Sequence, residues 1–244
     1  METFKQAALK HAIECLPRES CGLVVVIRGK DHYWPCRNIA VDDCDFVIEP
    51  ADYLAATTAG TIAAIVHSHP NDFPRPSPAD LASCEKWQLP WHIVSPHLDP
   101  PEGRWHTFRP SGYKAPLIGR QWVWGIHDCW SLVRDWYEEH GVALRDFDRP
   151  IDPDEFQRSP LFESFFPDAG FFEVPRKDAQ PGDAVLMAIC STGLNHIGVL
   201  DKDYRLLHHI QWRLSSLDLY GEGLQKSTGK IIRHLDCEKL RLTK

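Results

Sequence analysis

Residues 61–80, TIAAIVHSHPNDFPRPSPAD, constrain the fold more than any other stretch of the chain. TIAAIVHS is short, apolar and rich in β-branched residues, the pattern of a buried strand. Pro70 ends it, and prolines at 74 and 76 stiffen the connection beyond it. Ser77-Pro78-Ala79-Asp80 then reads as a helix start, with a capping Ser, Pro in the first turn and an acid at the third position. In a strand, residues i and i+2 project from one face, so His67 and His69 can reach a common point. Asp80, on the first helical turn, can close a third side. Two imidazoles and a carboxylate suit zinc, at about 2.0–2.2 Å per ligand, and leave a fourth position for water. An isolated H-x-H is more often incidental, and an isolated S-P-A-D is almost always only a cap. Together at this spacing they point to a metal.

The flanking sequence predicts an α/β domain over residues 1–110. An amphipathic helix spans 4–16 and stops at Pro17. CGLVVVIRG and DHYWPCRN form a hairpin turning at Gly29-Lys30, DFVIEP is a further short strand, and PADYLAATTAG a short helix. A helix from Pro78 to Trp87 and strands WHIVS and RWHTFRP follow. The stretch RPSGYKAPLIGRQW, with its Pro, Gly and small polar residues, marks the boundary to a second domain over 111–244. There, DCWSLVRDWYEEHG reads as a helix capped by Asp128, with Trp130, Val133 and Trp136/Tyr137 on one face and Gly141 at its end. A loop-rich region runs to 178, and DAVLMAI, NHIGVLD and YRLLHHIQ are three successive strands after the turn Pro181-Gly182-Asp183. One helix followed by a strand meander is an α+β pattern.

Composition excludes several classes. A formal net charge of −7 gives no basic footprint for nucleic acid. No apolar run is long enough to span a bilayer. METFKQAALKHAIECLPRES mixes charges among apolar residues at helical spacing and is not a signal peptide, so an exported role needs another route, such as lysis or transport inside a larger particle. None of the eight cysteines forms a C-x-x-C pair, and a chain of this kind is expected to keep its thiols reduced, mostly as buried fillers.

The first domain resembles the JAMM (MPN-type) zinc metallopeptidases. Their pattern is an early glutamate, then H-[ST]-H-P, then S-x-x-D. This chain reads His67-Ser68-His69-Pro70 and, through Pro76, Ser77 to Asp80; Glu19 lies in PRESCGLVV, which is similar to the P-x-E-x-C-G-L segment of bacterial and phage members. The resemblance covers residues 5–108 and implies a cytidine-deaminase-like α/β fold. It implies zinc ligands His67, His69 and Asp80, with Glu19 as general base toward bound water and Ser77 hydrogen-bonded to the reacting oxygen.

A second candidate centre is Cys129, just after Asp128 in the first turn of a helix. The partial positive charge of a helix start lowers a thiol's pKa. On residue type alone, one cysteine among eight is most often filler. A nucleophilic cysteine also needs a histidine brought close by the fold, and His140, His196, His208, His209 and His234 are downstream. His140 is three turns away on the same helix and cannot reach Cys129. His208 and His209 are adjacent in a strand, so at most one points into any site.

WGIHDCWSLV, QPGDAVLM and NHIGVL resemble the G-x-x-x-D-C-S-G-L-V, P-G-D and H-V-G-I segments of the NlpC-type cell-wall cysteine peptidases, across residues 112–240. Trp130-Ser131 replaces the usual Ser-Gly. That resemblance implies a papain-like α+β fold, Cys129 as nucleophile, His196 as base and His208, twelve positions on, as the residue orienting the imidazole. Trp122 stands where the family has an aromatic near its oxyanion site.

A JAMM domain followed directly by an NlpC-type domain resembles the phage lambda tail assembly protein K family. The resemblance implies a tail-tip assembly role with zinc as cofactor, other phage tail-tip proteins as partners and peptidoglycan peptides as substrate. It places the chain in the host cytoplasm during assembly, or in the virion tail. Two alternatives stay open: a mainly structural or chaperoning component of the tail tip, and an isopeptidase for ubiquitin-like conjugates.

Overall fold

The computed structural model describes residues 3–41, 43, 45–70, 72–98, 101–150, 153–158 and 161–242. The chain divides into two units, Met1–Tyr113 and Lys114–Lys244.

The first unit is a five-stranded mixed sheet built from β1 (Cys21–Ile27), β2 (Lys30–Cys36), β3 (Thr61–Ser68), β4 (Trp91–Leu98) and β5 (Pro101–Phe108), in the order β2-β1-β3-β4-β5. Only β3 and β4 run parallel. The crossover between them carries α3 (Pro78–Trp87), while α1 (Phe4–Cys15) and α2 (Pro50–Ala59) precede β1 and β3. Strand alternation sorts the core into two layers. Cys21, Leu23, Val25 and Ile65 pack with Ala56 of α2 and Cys84 of α3. Val24, Ala64 and Val66 pack with Ala8 of α1 on the other face. His67 has the parity of Ile65, so the strand presents it to the α2/α3 face.

Two expectations need correction here. The hairpin turns at Arg28-Gly29, not Gly29-Lys30, because Lys30 already pairs with Ile27. Both turn residues have positive φ, 52° and 76°, the mirror-image twist that a two-residue hairpin requires. DFVIEP forms no strand; Ile48 makes a single bridge to Asn38. The Asn38 side chain adds to the two backbone bonds there, Ile39 N to Val47 O and Glu49 N to Arg37 O: its amide donates to Glu19 O and Asp45 O, and its oxygen accepts from Ala40 N and Val47 N.

In the second unit, α4 (Cys129–Glu139) lies against an antiparallel sheet of six strands. These are β6 (Phe171–Val174), β7 (Ala184–Met187), β8 (His196–Leu200), β9 (Arg205–His208), β10 (Ser216–Leu219) and β11 (Thr228–His234), ordered β10-β9-β8-β7-β11-β6. Leu132, Val133, Trp136 and Tyr137 of α4 are buried against Ala184, Leu186, Ile197 and Val199. Three of the strands, β6, β10 and β11, extend the expected meander of three. The loop-rich region also holds two short helices, α5 (Pro153–Arg158) and α6 (Leu161–Phe165), and a third, α7 (Glu222–Ser227), precedes β11. The chain's last strand inserts between β7 and β6, a pairing that no local pattern announces.

The seven described cysteines are free thiols; Cys21, Cys36, Cys84 and Cys129 are buried and Cys190 is exposed. Cys44 lies outside the described residues. No described helix is long and apolar enough to cross a membrane.

Candidate active sites

The first cluster forms where β3 ends and α3 begins. Ser77 caps α3 by accepting from Asp80 N at 3.1 Å, and Asp80 Oδ2 accepts from Ser77 N at 2.7 Å. That reciprocal box aims the Asp80 carboxylate back at the strand end. Asp80 Oδ1 is 3.2 Å from His67 Nε2, Asp80 Oδ2 is 3.5 Å from His69 Nε2, and the two Nε2 atoms are 3.0 Å apart. Ligand atoms at about 2.0–2.1 Å around a tetrahedral ion stand about 3.3 Å from each other. The three donors therefore already outline one face of such a site. Among the described residues they are the one His/Cys/Asp/Glu group with this convergence.

Phe46 stacks on the His67 ring at 4.7 Å and Trp91 meets it edge-on at 5.5 Å, holding the imidazole in place. Glu19, just before β1, brings Oε1 to 3.9 Å from His69 Nε2. Burial raises its pKa to about 9, helped by the charges of Asp80 and Asp45. Burial also pushes the Asp80 carboxyl up, but hydrogen bonds from His67 and His69 outweigh it and hold it far below the usual carboxylate range. Burial keeps His67 neutral.

The second cluster surrounds the start of α4. Asp128 is the N-cap: Oδ1 accepts from Ser131 N at 2.8 Å, and Ser131 Oγ accepts from Asp128 N. Arg149 grips the same carboxylate at 2.8 and 3.1 Å. Cys129 sits against the Ile197 backbone and is lined on one side by an apolar cavity formed by Trp124, Trp130, Phe147, Phe156 and Phe162. Burial, reinforced by the Asp128 charge, pushes the Cys129 thiol up to about 12, opposite to the lowering expected from the helix terminus alone. Desolvation is the largest influence; backbone hydrogen bonds at Ile197 and Trp130 and the charge of Arg149 lower the thiol without offsetting it.

His196 and His208 meet across β8 and β9, with His196 Nε2 at 3.2 Å from His208 Nδ1. Burial lowers His196 to about 3. The His208 Nε2 is 3.0 Å from Asp218 Oδ2. Among the described residues no hydrogen bond joins the Cys129 thiol to the His196 ring. His140 stacks on Trp136 instead, at 3.9 Å, and His209 bonds to Arg213 O. Trp122 stacks on Trp124 and meets the exposed Trp212 at a tilt.

Two residues of this cluster carry no signal in the sequence. Asp218 lies on the edge strand β10, and only the register, Ser216 opposite His208, puts it on the His208 face. Arg149 stands in an irregular segment whose RDFDRP run gives no hint of its partner.

Residues 2–109 match the family of prokaryotic homologs of the JAB domain, and residues 119–233 match the NlpC/P60 family. Tail tip assembly protein K of Escherichia phage N15 is 39% identical over 238 residues, covering 94% of this chain and 93% of the relative. The chain belongs to the tail tip assembly protein K family. Tail tip assembly protein K of Escherichia phage lambda is 35% identical over 189 residues, 77% of this chain and 89% of that protein. A solution structure of a protein from Desulfitobacterium hafniense overlaps with a TM-score of 0.37 at 24% identity, over 43% of this chain and 80% of the other, too weakly to bear on the fold. Membership of the K family accounts for the order of the two units, a JAB/MPN-type α/β fold followed by an NlpC/P60-type α+β fold.

Proposed function

We propose that the chain is a tail tip assembly protein of a tailed phage, made in the host cytoplasm, with other tail-tip proteins as partners and two hydrolase centres. The observation that carries this reading is the convergence of His67, His69 and Asp80 on one point, in a chain that aligns nearly end to end with a tail tip assembly protein. In the first unit these three side chains would hold zinc, a donor set and spacing that suit it. When bound, the ion supplies Lewis acidity toward a carbonyl and a positive charge that offsets Asp80. Glu19 would carry a proton at Oε1, and Ser77 would donate a hydrogen bond from its hydroxyl. The bond cleaved there is an amide or isopeptide.

In the second unit the substrate is an amide of peptidoglycan stem peptides. Cys129 gives its proton to His196, Sγ bonds to the carbonyl carbon, and the C–N bond breaks as His196 returns the proton to the leaving amine. Water then hydrolyses the thioester. His208 orients the His196 ring. Mass spectrometry of muropeptides digested by the wild-type chain and by Cys129→Ala tests the second centre. Cleavage lost in Cys129→Ala supports the assignment; undiminished cleavage in that variant refutes it.

One observation favours a second reading, a mainly structural role in tail assembly: the Cys129 thiol is buried, protonated and without a hydrogen bond to His196. Phage carrying the chain with both centres inactivated separates the two. Normal tails that fail to infect support the enzyme, and normal infection supports the structural role.

A further inference from the structure

We propose that Asp218 is the outer member of a relay, Asp218–His208–His196, that fixes the tautomers of both rings and leaves Nδ1 of His196 as a bare base. This rests on the reading of His196 as the proton acceptor for Cys129. An ionised carboxylate only accepts hydrogen bonds, so the 3.0 Å contact at Asp218 Oδ2 requires the proton of His208 to be on Nε2. Neutral His208 then has a lone pair at Nδ1. The 3.2 Å contact to His196 Nε2 is satisfied only if that nitrogen donates, which places the His196 proton on Nε2 and empties Nδ1.

The register supports the relay. On β9 the His208 ring shares a face with Leu206, and Asp218 pairs directly with Leu206 on β10, so the carboxylate reaches the ring along the diagonal. Ser216, opposite His208, donates its hydroxyl to the same carboxylate oxygen at 3.1 Å. The hydrogen bond from His208, with Ser216 and the charge of Arg213, holds Asp218 below the ordinary carboxylate range. The other charged groups facing the pair are His209, against His196, and Arg213, against Asp218.

Without Asp218, nothing forbids His208 from carrying its proton on Nδ1. It would then donate to His196 Nε2, moving the His196 proton to Nδ1, where it blocks acceptance of the thiol proton. With Asp218 present, transfer breaks the S–H bond and forms Nδ1–H. The resulting imidazolium donates to His208, whose own N–H faces a carboxylate. Asp218 touches no reacting atom and is a positioning residue.

Two measurements on the full chain test this. Side-chain nitrogen NMR of the wild type reads the tautomers directly: Nε2–H on both His196 and His208 supports the relay, and Nδ1–H on His208 overturns it. Alkylation of Cys129 by iodoacetamide, followed at peptide resolution because exposed Cys190 also reacts, reads the consequence. In Asp218→Ala the rate at neutral pH falls about tenfold or more and its pH profile moves toward that of an isolated thiol. A wild-type rate and profile in Asp218→Ala overturn the proposal. If Cys129→Ala leaves muropeptide cleavage intact, the nucleophile reading fails while the wild-type tautomers still decide the relay. They decide it equally if Asp218→Ala does not fold.

Discussion

Replacing Arg149 with Met should destabilise the second unit by about 3–4 kcal/mol at pH 7. The Asp128 side chain is 2% exposed and that of Arg149 10%, and the guanidinium makes two of the hydrogen bonds the carboxylate receives. Met keeps most of the aliphatic stem and removes the charge. Asp146, the other acid on Arg149, keeps Arg134 at 2.6 Å, so the orphaned group is Asp128. Breaking one side of a buried pair costs about 3–5 kcal/mol. Ser131 N and Gly125 N remain as donors, which keeps the cost from adding a fully lost cap. Native-state hydrogen exchange of the amides of α4 in the full chain reports this unit alone. Asp128→Asn in the Arg149→Met background should recover at least half of the loss, since Asn caps a helix as well as Asp and carries no charge. A loss under about 1 kcal/mol at pH 7, or one that Asp128→Asn leaves unchanged, refutes the reasoning. Because Arg149 also lowers the Cys129 thiol, its removal should slow alkylation at that residue.

Metal analysis should find about one zinc per wild-type chain and little in His67→Ala or Asp80→Asn, with chelation lowering the melting temperature of the wild type only. Acid should destabilise the second unit before its carboxylates titrate: burial lowers His127 to about 4 and His196 to about 3, so their contribution is complete above pH 6.5 and is lost as pH falls from there. At pH 5.5 the two together cost about 3 kcal/mol, and an unchanged exchange-derived stability of α4 between pH 7.5 and 5.5 would contradict this. Gly22→Ala should cost about 1–3 kcal/mol in the first unit by denaturant melt, because its Cβ would stand 2.6 Å from the Trp34 carbonyl, which the β1–β2 ladder holds in place. Wild-type stability there would mean that the hairpin yields more than its ladder suggests.

The parts of the fold legible in sequence are those whose signals are local. The helix at 78–87 carries its cap, first-turn proline and acid within four residues, and the structure starts it at Pro78. β3 is read from its β-branched run. DFVIEP has the composition of a strand, but it meets Asn38 at a single bridge, and the side chain of Asn38 takes up Asp45 O and Val47 N. β10 and β11 depend on partners distant in sequence: SLDL shows no clean alternation, and TGKIIRH buries Ile231 and Ile232 together because both faces of its sheet are covered. The candidate site divides the same way. His67, His69 and Asp80 are fixed by strand and helix periodicity. Asp218 needs the β9–β10 register, and the direction of the Cys129 shift needs burial, which a helix-terminus argument does not contain.

Both clusters rest on a capping box, and the difference between them explains their opposite electrostatics. At the start of α3 the acid is the third helical residue, so its carboxylate accepts from the cap backbone with one oxygen and still faces His67 and His69. The hydrogen bonds of that geometry stabilise the Asp80 anion. At the start of α4 the acid is the cap itself, one residue before Cys129, and its charge opposes a thiolate instead of binding anything positive from a ligand. Arg149 offsets that charge from the other side. On the proposed mechanism, deprotonation of Cys129 draws on a proton acceptor rather than on the helix terminus. In that case the tautomer of His196, and the residues that set it, decide whether the thiol can react.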